Sequence, residues 1–131
     1  MTSDVAELVR LRAFVRSFCQ DLPVLVLDGA SLCQLELAVT EAASNIMRHA
    51  YHDLAHQRIQ VTAEAFTDRI VVRLWHDGDA FDPRTVKPPA FDGSRDGGFG
   101  VFIIAHSVDE VRYIDDAQGK HGICLVKKRQ P

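Results

Sequence analysis

No run of apolar residues in this chain approaches the ~20 needed to cross a bilayer, so no membrane helix is expected. The opening residues, MTSDVAELVRLRAF, carry an early acid and no apolar core segment, so they do not read as a signal peptide. Charge of one sign is also missing. The net charge is −3, with both signs spread along the chain and no basic stripe, so nucleic acid is not an expected partner. Cysteine is scarce: Cys19, Cys33 and Cys124 are odd in number and have no C-x-x-C spacing. That excludes a full disulfide framework and a thiolate metal site. They read as reduced thiols of a cytoplasmic protein, two or three of them buried for packing. Gly-Lys-Ser/Thr is absent, and so is G-x-G-x-x-G after a first strand, which excludes a Walker A loop and a dinucleotide fingerprint. Repeats and low-complexity tracts are absent too. What remains is 131 residues, 47% apolar and 25% charged, the make-up of one globular domain spanning 1–131.

Residues 4–20 place Val5, Leu8, Val9, Phe14, Val15 and Phe18 at mixed three and four spacings, an amphipathic helix with Arg10, Arg12 and Arg16 on its outer face. Pro23 marks its end. A second helix starts near Asp28 or Ser31, both good N-caps, and carries the stripe Leu35, Val39, Ala42, Ile46 and Ala50. The period then changes to two. RIQVTAEAF sets Ile59, Val61, Ala63 and Ala65 on one face, and RIVVRLWHDG sets Ile70, Val72, Leu74 and His76 on one face. Thr67-Asp68 forms the turn between them, and Trp75 falls on the opposite face as a sheet-surface or interface residue. From Asp77 to Gly100 the chain is loop-like and rich in Gly and Pro; so long a connection is usually functional. VFIIAHSV reads as a short helix, and DEVRYI with GICLVKK as a closing hairpin. The order α-α-β-β-loop-α-β-β points to an α+β two-layer sandwich.

Two features exceed packing. Glu41, Asn45 and His49 recur every fourth residue, a slowly drifting polar row beside the core stripe, with His49 approaching the core face. A polar row at a core boundary needs partners, because an unmet buried group costs ~1–3 kcal/mol. Glu can serve as a general base and the Asn amide oxygen suits Mg²⁺. The plain alternative is a solvated flank with a satisfied core histidine. Arg48 lies near Glu41 on the wheel and can pair with it or with a phosphate. In addition, Gly97, Gly98 and Gly100 precede a helix, where free backbone N–H groups attract phosphate.

These pieces, in this order, resemble a known family. Glu-x-x-x-Asn-x-x-x-His-Ala-Tyr at 41–51, Asp-Gly-x-x-Phe-Asp-Pro at 77–83 and Gly-Gly-x-Gly-x-x-x-Ile at 97–104 are similar to the N, G1 and G2 boxes of the Bergerat-fold ATPases. The small size, RHAY and SVDEVRY resemble the serine-kinase anti-sigma factor branch. The likeness runs over roughly residues 5–128. It implies an α/β sandwich with a mixed, mostly antiparallel sheet, one helical layer and a long lid over ATP. It implies Glu41 as the general base acting on a partner's serine hydroxyl, and Asn45 as the ligand of Mg²⁺. It implies nucleotide contacts at Asn45, His49, His76, Asp77, Gly78, Gly98 and Gly100. The partners it implies are a STAS-type anti-anti-sigma protein, a sigma factor and a second copy of the chain.

The sequence departs from that pattern at two places. The family's G1 box usually reads Asp-x-Gly, and its Asp meets the adenine amino group; here His76 stands two before Gly78. A carboxylate accepts strongly from an amine, whereas a neutral imidazole accepts with one nitrogen at most. Asp77, on the other face of the strand, can replace it only if the strand end kinks or bulges. The leading strand of the family is trimmed to a few residues. Two readings follow: an ATP-dependent serine/threonine kinase of a partner-switching pathway, or a non-catalytic module that sequesters an anti-anti-sigma protein or sigma factor.

Overall fold

The computed structural model describes residues 1–22, 27–80 and 99–129. Within them the chain runs α1 (Glu7–Gln20), α2 (Gly29–Asn45), a π-helical turn (Ile46–Ala50), β1 (Ile59–Ala65), β2 (Arg69–His76), α3 (Phe99–Ser107), β3 (Glu110–Asp115) and β4 (His121–Lys128). The four strands pair antiparallel in the order β1-β2-β4-β3. All three helices stack on one face, with α2 against both the sheet and the two other helices. The expected order of elements and the α+β sandwich are both found. Gly97, Gly98 and most of the long connection, as well as Pro23, lie outside the described residues.

Local chemistry accounts for these elements. Asp28 caps α2, its Oδ1 accepting from the Ser31 backbone N–H at 2.6 Å. The stripe Leu35, Val39, Ala42, Ile46 and Ala50 is buried throughout and meets Ile59, Ile70, Val72, Leu74 and Leu125 from the sheet. Full burial of each large member contributes about 1.5–3 kcal/mol. Strand alternation does the rest: Val71, Cys124 and Val126 form a separate small cluster on the outer face, with Ile114 packed on it. Trp75 lies on that outer face too, cross-strand from Gly122 and Gln60. Near the start of the described residues, Thr2 forms an isolated antiparallel bridge to Arg58.

Two expectations need correction. In α1 the buried positions are Leu11, Val15 and Cys19, a clean four-residue repeat, while Val5 and Val9 are exposed at 76% and 74%. Helix α1 packs chiefly on α2, so a narrow stripe suffices and the flanking valines stay in water. The second correction is His49. It is exposed instead of approaching the core, because the chain leaves α geometry at Ile46. The Tyr51 N–H bonds the Ile46 carbonyl at 3.0 Å, an i→i+5 closure that turns less per residue and carries His49 off the row.

Buried polar groups are tied to this frame. Glu36 is 3% exposed at the α1–α2 seam. Its Oε2 accepts from Arg16 Nη2 at 3.0 Å, and its Oε1 lies 2.7 Å from Arg16 Nε, an ion-pair contact too poorly directed to be a hydrogen bond. Burial, with the Glu36 charge nearby, pushes the Cys19 thiol up to about 11, which fits a packing residue. Cys124 is buried as well and Cys33 is exposed. Lys127 points inward from β4, its Nζ donating to Gln34 Oε1 at 2.7 Å and to the Ser107 carbonyl at 3.0 Å.

Candidate functional site

A cleft opens between the end of α2 and one end of the sheet. Helix α2 and the π turn supply Ala42, Asn45 and Ile46. The sheet supplies His76 from β2, Tyr113 and Asp115 from β3, and His121 and Ile123 from β4. The strand register explains the grouping: His76 pairs with His121, and His121 with Asp115, so three polar side chains line up across neighbouring strands.

Asn45 is 4% exposed, and its Oδ1 accepts from Arg48 Nη2 at 3.0 Å. Arg48 therefore pairs within the row with Asn45. Glu41 is half-buried one turn earlier on the same helix. His76 is 4% exposed; its ring lies edge-on to Tyr51 and tilted against His121, each at 5.8 Å between centroids. Burial first, then the neighbouring His121, lower the His76 pKa, with Asp77 pulling weakly the other way. His121 Nδ1 sits 2.6 Å from Asp115 Oδ1.

The end of β2 is clamped to the end of the π turn. The Asp79 N–H donates to the Ala50 carbonyl at 2.9 Å, and the Asp77 N–H donates to Tyr51 Oη at 2.9 Å. Tyr51 Oη in turn donates to the Arg58 carbonyl. Gly78 is required by this close approach. A Cβ there would lie 2.5 Å from the Ala50 oxygen and 2.8 Å from Tyr51 Cδ1. His52 and Asp79 add a pair at 2.8 Å on the surface.

Of the residues singled out in the sequence, the cleft brings Asn45 and His76 together. Glu41 and Gly78 stand next to it along α2 and β2. His49 and Asp77 are both exposed beside it. Burial and the Arg48 charge lower the His49 pKa. Gly100 lies in the first turn of α3, and Gly98 is outside the described residues. Tyr113, Asp115 and His121 were not singled out. The alternation that turns Ile123 and Leu125 inward also turns His121 inward, and that signal was available.

The comparisons with known proteins bear on the fold and the family. A family model described as the histidine kinase-like ATPase domain matches residues 1–127. The chain is 34% identical over 115 residues to the serine-protein kinase RsbW of Staphylococcus epidermidis, covering 78% of this chain and 72% of that protein. It is 30% identical over 90 residues to the RsbW of Oceanobacillus iheyensis, covering 63% and 57%. It is 31% identical over 87 residues to the RsbW of Bacillus subtilis, covering 60% and 54%. The matched stretch is thus little more than half the length of the last two. The histidine kinase domain of an Erythrobacter litoralis blue-light activated histidine kinase superposes with a TM-score of 0.58 at 16% identity, over 94% of this chain and 59% of that one. This chain belongs to the histidine kinase-like ATPase domain family, in the serine-kinase anti-sigma branch of the Bergerat-fold ATPases that its three boxes resemble.

Proposed function

We propose that the chain is a nucleotide-dependent protein serine/threonine kinase that phosphorylates a small STAS-type partner, with ATP and Mg²⁺ as the expected reactants. The observation that carries this reading is that Asn45 and His76 line one cleft, with Glu41 one turn before Asn45 on the same helix. Similarity to serine-protein kinases supports it. Asn45 offers an amide oxygen of the hard type that Mg²⁺ takes, and phosphates with water complete such a site. That oxygen also accepts from Arg48, and an amide oxygen has a second lone pair for a cation. The ion, when bound, neutralises phosphate charge. Glu41 is the general base. It takes the proton from the partner's hydroxyl as that oxygen bonds to the terminal phosphorus, and the nucleoside diphosphate leaves with the electrons of the broken P–O bond.

Two partner classes follow from the same reading: an anti-anti-sigma protein as phosphoryl acceptor, and a sigma factor as the protein held when the acceptor is phosphorylated. A homodimer and a cytoplasmic location belong to it too. The test is phosphate transfer from labelled Mg-nucleotide to a STAS-type acceptor. Glu41→Ala is expected to cut transfer by roughly 10²–10⁴-fold, with nucleotide affinity within a few-fold of the parent. The non-catalytic alternative is favoured by His76, which replaces an acceptor with a buried imidazole. Stable capture of the acceptor with no phosphate transfer, unchanged by Glu41→Ala, would select it.

A further inference from the structure

Away from the cleft, a groove on the outer seam of α1 and α2 gathers side chains that the proposed reaction does not use. It is lined by Arg12, Arg16, Cys33, Glu36, Leu37 and Thr40. Cys33 is exposed, whereas Cys19 and Cys124 are buried. The Arg16 guanidinium stands between Glu36 and Cys33. Its pKa is raised first by the hydrogen bond to Glu36, then by the Glu36 charge and, against the opposing effect of burial, by Cys33. A fixed cation therefore faces the sulfur that must turn anionic to react. Glu36 supplies an independent observation. It is 3% exposed, and its Oε1 accepts no hydrogen bond although Arg16 Nε lies 2.7 Å away. A buried carboxylate oxygen left in this state calls for an N–H donor from whatever fills the groove.

The groove thus offers a nucleophilic sulfur, two guanidiniums suited to carboxylates, and a carboxylate oxygen suited to an N–H. Carboxylates, amide N–H groups and sulfur occur together in small peptide thiols and their disulfides. We propose that Cys33 is a site of S-thiolation by an acidic, peptide-type low-molecular-weight disulfide, seated by Arg12, Arg16 and Glu36. The Cys33 thiolate attacks one sulfur of that disulfide. A new S–S bond forms to Cys33 as the old one breaks, and the departing half leaves as a thiolate with the electron pair of the broken bond. The proton that Cys33 gave up is taken by that thiolate. Cys33 is oxidised, the departing half is reduced, and no further reactant is needed. The adduct stands on α2, roughly 12 Å before Glu41 on the same helix. It requires no nucleotide in the cleft.

The test is incubation of the folded full chain with glutathione disulfide, followed by intact-mass spectrometry and peptide mapping. One adduct is expected, on Cys33, reversed by a thiol reductant; Cys19 and Cys124 should react only once urea unfolds the chain. Two further disulfides separate the parts of the site. Cystamine has ammonium ends in place of carboxylates, and dithiodipropionate has carboxylates but no N–H. Each rate on Cys33 is divided by the rate of the same disulfide on the unfolded chain, which removes intrinsic reactivity. On that scale glutathione disulfide is expected to lead cystamine by roughly fivefold or more, the worth of two exposed ion pairs. Dithiodipropionate should fall between them. Arg12→Gln, a change at an exposed position, is expected to narrow the lead over cystamine by about half or more. Cystamine reacting as fast as glutathione disulfide overturns the inference. So does dithiodipropionate keeping pace with glutathione disulfide, because the acid ends alone would then be read. A lead unchanged in Arg12→Gln, or adducts on Cys19 or Cys124 as fast as on Cys33, also overturns it, as does a folded chain that takes up no adduct.

Discussion

Single residues set the limits of this site. Gly78 is the tightest of them, because any side chain there meets the Ala50 carbonyl at 2.5 Å. Gly78→Ala is expected to cost about 1–3 kcal/mol in urea unfolding, the usual penalty of overpacking. Nucleotide affinity should fall with it, since the clamp that orients His76 opens. His76 also gives the molecule a pH dependence. Its pKa is lowered in the folded chain, so the unfolded chain binds the proton first as pH falls. The stability held by the neutral ring is whole above about pH 6.5, the unfolded value, and is lost as pH drops through the lower folded value. The parent is therefore expected to lose more stability than His76→Asn between neutral and mildly acidic buffer, by urea unfolding at each. His49 shifts in the same direction, but its exposure discounts its share.

At the scale of elements, the amphipathic pattern was readable wherever one element faced one layer. The α2 stripe from Leu35 to Ala50 and the inward set Ile70, Val72 and Leu74 follow directly from their periods. The failures have physical causes of their own. His49 left the row because a π turn interrupts the α period, and nothing local in IMRHA announces that interruption. Val5 and Val9 look like core residues by spacing, yet α1 packs chiefly on α2 and leaves both exposed. Lys127 was hidden for a third reason: a lysine inside an apolar strand reads as an end, and only the tertiary fold brings Gln34 and the α3 carbonyl to it. Its ammonium sits at the C-terminal end of α3, where a cation is favoured. Lys127→Ala is expected to cost about 2–3 kcal/mol, because it removes two charge-assisted bonds and leaves a buried carbonyl unmet. Urea unfolding of the variant checks this, and an unchanged midpoint would refute the pin.

At the scale of the whole molecule, the sandwich places every polar feature of the cleft at one end. The order β1-β2-β4-β3 makes β2 and β4 neighbours, although α3 and β3 intervene in the chain. That crossover brings His121 and Asp115 to His76; alternation alone could turn His121 inward, but only strand order sets it and Asp115 beside His76. The boxes were legible because they are local; the row is not, because it is made by strand order. The opposite end, with the turn from Phe66 to Arg69, faces away from the cleft across the length of β2. A ligand in the cleft should therefore act unevenly. At a free nucleotide concentration of roughly a hundred times the dissociation constant, global unfolding should become about 2.7 kcal/mol harder. Amide exchange through local opening should slow most at Ala42–Ala50, Trp75–Asp79 and the paired ends of β3 and β4. The amides flanking the Thr67–Asp68 turn should gain little beyond the global shift. Exchange measured with and without saturating Mg-nucleotide decides this. Protection spread evenly along β2 would place the ligand outside this cleft.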